Sequence, residues 1–235
     1  MQDTIIVIPT LNEADNIGLL IKDILSLSQD YQVLIVDDNS SDDTQQVAMS
    51  LGTRVHLLAR TSNYGYGPSV MAGLEWALTH NFEKAVSMDA DFSHDPKVLN
   101  KIVSVLKGKH ADFVIGSRYC AGGGIANWKL HRRLLSKYAN LYVKLVLRAP
   151  ISDMTSGFVG YSRQALMVIT GAHINSSGYA FCVETKYVLH KLGLNSTEIP
   201  ITFTDRREGK SKMSGKKIFE SILLPWKLLL KVPEK

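Results

Sequence analysis

The chain has 235 residues, 45% hydrophobic and 21% charged, which excludes disordered and collagen-like chains and leaves room for an α/β domain with a sizeable core. Its net charge of +5 resides in residues 205–235, where nine Lys/Arg face four Asp/Glu, while the rest of the chain is neutral. Such a basic tail points to an anionic partner, lipid or phosphate; no nucleic-acid-binding motif accompanies it, so nucleic acid is not expected as a partner.

Strand and helix signals alternate through the first half. Thr4–Pro9 is a short β-branched run that reads as a buried parallel strand. Asn12 is the expected cap of a helix whose apolar face is Ile17, Leu20, Ile21, Ile24 and Leu25. A strand at Gln32–Asp37, a helix at Ser41–Leu51 and a strand at Val55–Ala59 follow. Tyr64–Pro68 is a turn into a helix reaching about His80; Lys84–Met88 is a strand, an acidic loop leads to a helix from Pro96, and Asp112–Ser117 is a fifth strand. This order predicts an α/β fold with a mostly parallel, doubly wound sheet flanked by helices. Beyond it come a Gly-rich loop at Cys120–Asn127, a basic amphipathic helix at Lys129–Leu147, short elements around Phe158, Arg163 and Phe181, and a strand at Thr197–Pro200. A polar loop over Phe203–Gly215 leads to a basic amphipathic C-terminal helix over residues 216–235. With no repeat and no linker, residues 1–235 read as one domain. No secretory signal is expected, because the run Ile5–Pro9 is short and lacks a basic leader, and no apolar stretch approaches the ~20 residues that span a bilayer. Cys120 and Cys182 lack metal-ligand spacing and read as reduced thiols, Cys182 buried in the core.

In parallel sheets, ligands bind beyond the carboxyl ends of the strands. Three polar clusters fall there: Pro9-Thr-Leu-Asn-Glu13, Asp37-Asp-Asn-Ser40 and Asp89-Ala-Asp91. Each alone could be a helix cap, but their convergence on one edge argues for a site. In extended backbone Asp89 and Asp91 point the same way, and two such carboxylates suit Mg²⁺ or Mn²⁺ shared with substrate phosphates. Gly65-Tyr-Gly67 lacks a third glycine at Val70 and follows the third strand, so it is a turn and not a dinucleotide fingerprint. His94 is expected to face solvent.

These motifs, with Gly116-Ser-Arg118, Ser156-Gly157-Phe158 and Arg206-x-x-Gly-x-Ser-Lys212, stand in an order that resembles family 2 glycosyltransferases of the GT-A fold, specifically the dolichyl-phosphate (polyprenyl-phosphate) mannosyltransferases. The resemblance covers nearly the whole chain and implies transfer of mannose from GDP-mannose to a dolichyl or polyprenyl phosphate with inversion. It implies that Pro9, Leu11 (Tyr in many members), Glu13, Val36 and Asp38 hold guanine and ribose. Asp89, Ala90 and Asp91 would lie along ribose, diphosphate and metal, with Asp91 the direct ligand. Ser93 stands where some members have a metal-binding Gln, so its hydroxyl would bind the metal directly or through water, with His94 and Asp95 as nearby alternatives. Arg118 would face phosphates, Arg132 the acceptor phosphate, and Arg206 and Lys212 would close over the diphosphate.

The acceptor explains the lack of a base dyad. A phosphate monoester has a second pKa of about 6 and arrives as a nucleophilic dianion, whereas a sugar hydroxyl would need a general base. Arg118, Arg132, Arg133, Arg206 and Lys212 suit two phosphates brought together. The helix at Lys129–Leu147 carries a stripe of Leu134, Tyr138, Leu141 and Leu145, which reads either as a core face or, like Trp226 among its leucines, as an interfacial face at a membrane. A peripheral enzyme on the cytoplasmic side of a membrane, with small membrane-spanning subunits as partners, is the expectation. The same motifs would serve a UDP-linked glucose or N-acetylglucosamine donor; a silent scaffold subunit is the other reading, and retention of the acidic and basic site residues argues against it.

Overall fold

The computed structural model describes residues 2–176, 178–204 and 215–230. Its centre is a seven-stranded sheet made of β1 (Gln2–Thr10), β2 (Tyr31–Asp37), β3 (Val55–Ala59), β4 (Phe82–Ser87), β5 (Phe113–Ser117), β7 (Val159–Ser162) and β8 (Ser196–Pro200). Their spatial order is β3-β2-β1-β4-β7-β5-β8. A short parallel pair, β6 (Gly124–Ile125) with β9 (Thr202–Phe203), lies apart from it. The helices are α1 (Ala14–Leu27), α2 (Thr44–Met49), α3 (Tyr66–Thr79), α4 (Leu99–Lys107), α5 (Leu130–Leu147), α6 (Arg163–Thr170), α7 (Tyr179–Lys191) and α8 (Gly215–Leu230).

The β-branched runs are explained by burial on both faces. Ile5 and Val7 of β1 join one core with α3, α6 and α7, while Ile6 and Ile8 join the opposite core with α1 and α4. All four are fully buried, so both faces must be apolar and no alternation remains. Helix α3 lies close on β1 because Gly73 has no side chain; a Cβ there would stand 2.3 Å from Val7 Cγ1.

One strand breaks the parallel pattern in a way that builds the site. β7 is antiparallel to both β4 and β5, with Val159 opposite Ser87 and opposite Ile115. Its beginning therefore lies at the edge where β4 and β5 end. The segment Asp153–Phe158, just before β7, is thereby delivered to the carboxyl edge of a parallel sheet.

Two expectations need correction. Asn12 does not cap α1; it has φ 58°, and its side chain accepts from the Ser41 N–H at 2.8 Å. The start of α1 is served instead across the α1–α2 loop region, with Ala14 N–H donating to Asp42 at 3.1 Å. The short element around Phe181 is a 13-residue helix, α7. Eight consecutive residues, Cys182 to Leu189, are buried, so it has no amphipathic stripe to read.

Candidate active site

The carboxyl edge gathers the ends of β1, β2, β3, β4 and β5 and the segment before β7. At the β1–β2 corner, Asp37 is fully buried and accepts from Thr10 Oγ1 at 2.9 Å, Ser40 N–H at 2.9 Å and Gln45 Nε2 at 2.6 Å. It ties the two loops together. Asp38 is held differently: Oδ1 takes Arg60 Nη1 at 2.6 Å and Ser69 Oγ at 2.8 Å, and Oδ2 takes the Gly65 N–H at 2.6 Å. The Gly65-Tyr-Gly67 turn is thus fastened to the site through Asp38. Around this corner Pro9 is partly buried and Leu11 exposed, and Glu13 Oε2 accepts from Asn16 at 3.0 Å. The Val36 side chain is sealed in the core, leaving only its backbone for any ligand.

The acidic loop after β4 is tightly built. Ala90 and Asp91 are buried, and Asp91 Oδ1 accepts from Ser93 N–H at 3.0 Å and Ser93 Oγ at 2.5 Å. The Ser93 hydroxyl therefore aims the Asp91 carboxylate. Asp89 Oδ1 lies 3.6 Å from where a Cβ on Gly157 would stand, so the segment before β7 is close against it. His94 is not solvent-facing: it is 2% exposed, stacked on Phe158 with centroids 4.8 Å apart, and accepts the Asp89 N–H on Nδ1 at 3.1 Å. Burial pushes its pKa down, consistent with a neutral acceptor ring. Among the described residues no three carboxylate, His or Cys side chains cluster as a metal cage. Two carboxylates fit a hard divalent ion that takes its remaining ligands from waters and a substrate diphosphate.

Beyond β5 the floor is charged. Arg118 makes a buried, two-pronged ion pair with Asp153, Nε to Oδ2 and Nη2 to Oδ1 both at 2.7 Å, while Nη2 also reaches Thr155 Oγ1 at 2.7 Å. Burial alone would raise the Asp153 carboxyl; the Arg118 hydrogen bonds and charge hold it below its ordinary value. Lys186 of α7 rises beneath the same segment and donates to the carbonyls of Ser156 at 2.6 Å and Met154 at 3.2 Å. Its ammonium is buried, which lowers its pKa. Asp153, Thr155, Lys186, Arg60 and Ser69 were not singled out as site residues by the sequence. An Asp three residues ahead of Ser156-Gly157-Phe158, in an apolar stretch, was the one signal available.

Helix α5 is inside out. Its inward stripe starts polar: Ser136 accepts from Tyr119 Oη at 2.7 Å, Asn140 pairs with Thr155 at 3.0 Å, and only then come Val143 and Leu147 in the core. Arg132 is one turn ahead of Ser136 on that stripe. Leu134, Tyr138, Leu141 and Leu145, the stripe that could have been a core face, are exposed, as are Leu130 and Leu135. Helix α8 packs beside α5, with Trp226 Nε1 donating to Tyr142 Oη at 2.8 Å, and adds exposed Leu223, Trp226, Leu229 and Leu230. Among the described residues no helix is long and apolar enough to cross a membrane. Arg206 and Lys212 lie outside the described residues.

Residues 5–170 match the family profile described as Glycosyl transferase family 2. The chain is 38% identical to the polyprenol monophosphomannose synthase of Mycolicibacterium smegmatis over 94% of this chain and 84% of that protein. It is 36% identical to the undecaprenyl-phosphate mannosyltransferase of Micrococcus luteus over 92% and 90% of the two chains. Its fold is similar to that of glucosyl-3-phosphoglycerate synthase from Mycobacterium tuberculosis solved with Mn²⁺, UDP-glucose and phosphoglyceric acid. That match has a TM-score of 0.71 at 19% identity and covers 95% of this chain and 79% of the other.

Proposed function

Because the chain belongs to glycosyl transferase family 2, we propose that it transfers mannose from GDP-mannose to a dolichyl or polyprenyl phosphate at the cytoplasmic face of a membrane. The product is polyprenyl-phosphate mannose, formed by a Mg²⁺- or Mn²⁺-dependent single displacement with inversion. The names of the two mannosyltransferase relatives support the sugar and the acceptor class. The observation that carries the reading is the inverted helix α5. A helix that turns Ser136 and Asn140 inward and five of its leucines outward makes sense where the solvent outside is lipid. The same helix carries Arg132 at its first turn, so the phosphate of a lipid-borne acceptor and the bilayer that holds it meet one element.

On the donor side, Pro9, Leu11, Glu13 and Asp38, with the Val36 backbone, frame the nucleoside. Asp89, Ala90 and Asp91 run along the diphosphate, Asp91 and Asp89 hold the cation, and Ser93 aims Asp91. When bound, the divalent ion neutralises the diphosphate and stabilises it as a leaving group. Arg206 and Lys212 add charge over it. On the acceptor side no base is needed, because the phosphate is already a dianion near neutral pH. Arg118, held against Asp153, presents the floor's guanidinium, and Arg132 draws the incoming phosphate. Small membrane-spanning subunits are the partners that this arrangement would accommodate.

A panel of labelled nucleotide sugars with a short-chain polyprenyl phosphate and Mn²⁺ or Mg²⁺ tests the reading. Lipid-linked mannose from GDP-mannose is the expected product. Transfer only from UDP-glucose or UDP-N-acetylglucosamine would overturn the donor, and no transfer from any donor would favour a scaffold.

A further inference from the structure

Four rings and two guanidinium groups form a connected stack between the acidic loop and α5. Arg132 Cζ lies 3.8 Å from the Trp128 ring centroid. Trp128 meets Phe203 edge-on at 5.6 Å, Phe203 meets His94 edge-on at 5.5 Å, and His94 stacks on Phe158. Arg118 Cζ sits 5.4 Å from the Phe203 centroid. His94 takes the Asp89 N–H, so the stack begins at the metal loop and ends at Arg132. Phe203 is fixed from two sides: its carbonyl accepts from Ala126 N–H at 2.8 Å, and the next residue, Thr204, donates through Oγ1 to the Phe92 carbonyl at 3.2 Å.

Trp128 is the informative member. Its indole N–H is buried and finds no acceptor among the described residues. A buried donor without a partner is unfavourable, and a phenyl ring in the same place would avoid that cost. The face of the ring is therefore what the position uses, and indole is the strongest cation receptor among the aromatic side chains. We propose that Trp128 is a positioning residue: its face holds the Arg132 guanidinium toward the cleft for the acceptor phosphate, and Phe203 keeps that arginine in register with the Asp89–Asp91 loop. This rests on the reading of Arg132 as the acceptor-phosphate contact.

The experiment compares wild type, Trp128→Leu, Trp128→Phe and Trp128→Leu in an Arg132→Gln background. Three quantities are measured: Mn²⁺-dependent GDP-mannose affinity by calorimetry, and acceptor affinity and KM with a short-chain polyprenyl phosphate. Trp128→Leu should raise acceptor KM about tenfold while donor affinity stays within about twofold, as expected for loss of one partly buried cation–π contact. Trp128→Phe should recover most of the loss, and Trp128→Leu should add nothing once Arg132 is Gln. An unchanged acceptor KM, an equal loss of donor affinity, or equal defects in the Leu and Phe variants each overturns the proposal while the function above stands. Wild-type protein that neither binds nor glycosylates the acceptor overturns that function and the proposal with it.

Discussion

Removing the Asp153 carboxylate takes away the two-pronged partner of the buried Arg118 guanidinium. The carboxylate is fully buried and accepts from Arg118 N–H at 2.9 Å as well as from Nε and Nη2 at 2.7 Å; the Arg118 side chain is itself 6% exposed. Solvent cannot replace what is lost, so Asp153→Ala should cost about 3–5 kcal/mol, the range for breaking one side of a buried pair. That is a large share of the ~5–15 kcal/mol that holds a domain together. The pair Arg118→Met with Asp153→Leu should cost less than Asp153→Ala alone, because no orphaned charge remains. Urea unfolding followed by circular dichroism at neutral pH measures both. A loss under about 1 kcal/mol in Asp153→Ala, or a double variant as unstable as the sum of its singles, would refute the argument that the pair is dry and mutually dependent.

The Asp153 carboxyl is held below its ordinary value of 3.8, so its stabilising contribution is present above that pH and is lost as pH falls through the folded-state pKa. Asp153→Asn should therefore show a flatter acid limb in melting temperature against pH than wild type. Asp91→Asn should abolish Mn²⁺-dependent nucleotide binding with little change in melting temperature, and undiminished activity in chelator would count against the carboxylate pair as a metal site. Gly73→Ala should destabilise by about 1–3 kcal/mol through its clash with Val7 Cγ1, and Val7→Ala in the same chain should relieve part of that. Replacing Leu135 and Trp226 by Glu should leave nucleotide binding intact and sharply weaken flotation with anionic vesicles; unchanged flotation would remove α5 and α8 from the membrane reading.

The first half of the fold was legible because its central strands β1 and β2 are buried on both faces. Runs such as Ile5-Ile-Val-Ile8 have no other stable home, and the acidic motifs after Pro9, Asp37 and Met88 sit where such strands end. Three features were hidden for physical reasons. Helix α7 is buried nearly all round, so it shows no helical period, and Glu184 and Lys186 within it look like surface residues until the carbonyls that Lys186 caps are in view. β7 is four residues long and its direction depends on pairing with both β4 and β5, which no local pattern encodes. His94 looks like a loop residue by sequence; Phe158, sixty-four positions away, is what buries it. The helix at Lys129–Leu147 was legible as amphipathic, but its hydrophobic pattern gave a face without saying which way it points. Ser136 and Asn140 decide that, because each has a polar partner only on the inside.

The orientation of α5 also bears on how a lipid substrate can reach a site built on a sheet edge. An 18-residue helix is about 27 Å long, and its outward leucines and tyrosine run from Leu130 to Leu145, nearly its full length. Such a helix can lie flat in the headgroup region along that whole distance without crossing it. Arg132 belongs to its first turn, Ser136 to the next, and Asn140 touches the Thr155 that also meets Arg118. Under the proposed function, a phosphate at headgroup depth would meet Arg132 at the start of the helix, and the prenyl chain need not leave the bilayer. If α5 faced the other way, its leucines would compete with Asp153 and Arg118 for the interior and the acceptor would have to be extracted into water. Under the proposed function, the polar inner stripe is what would permit catalysis on a lipid by a site whose nucleotide half faces water.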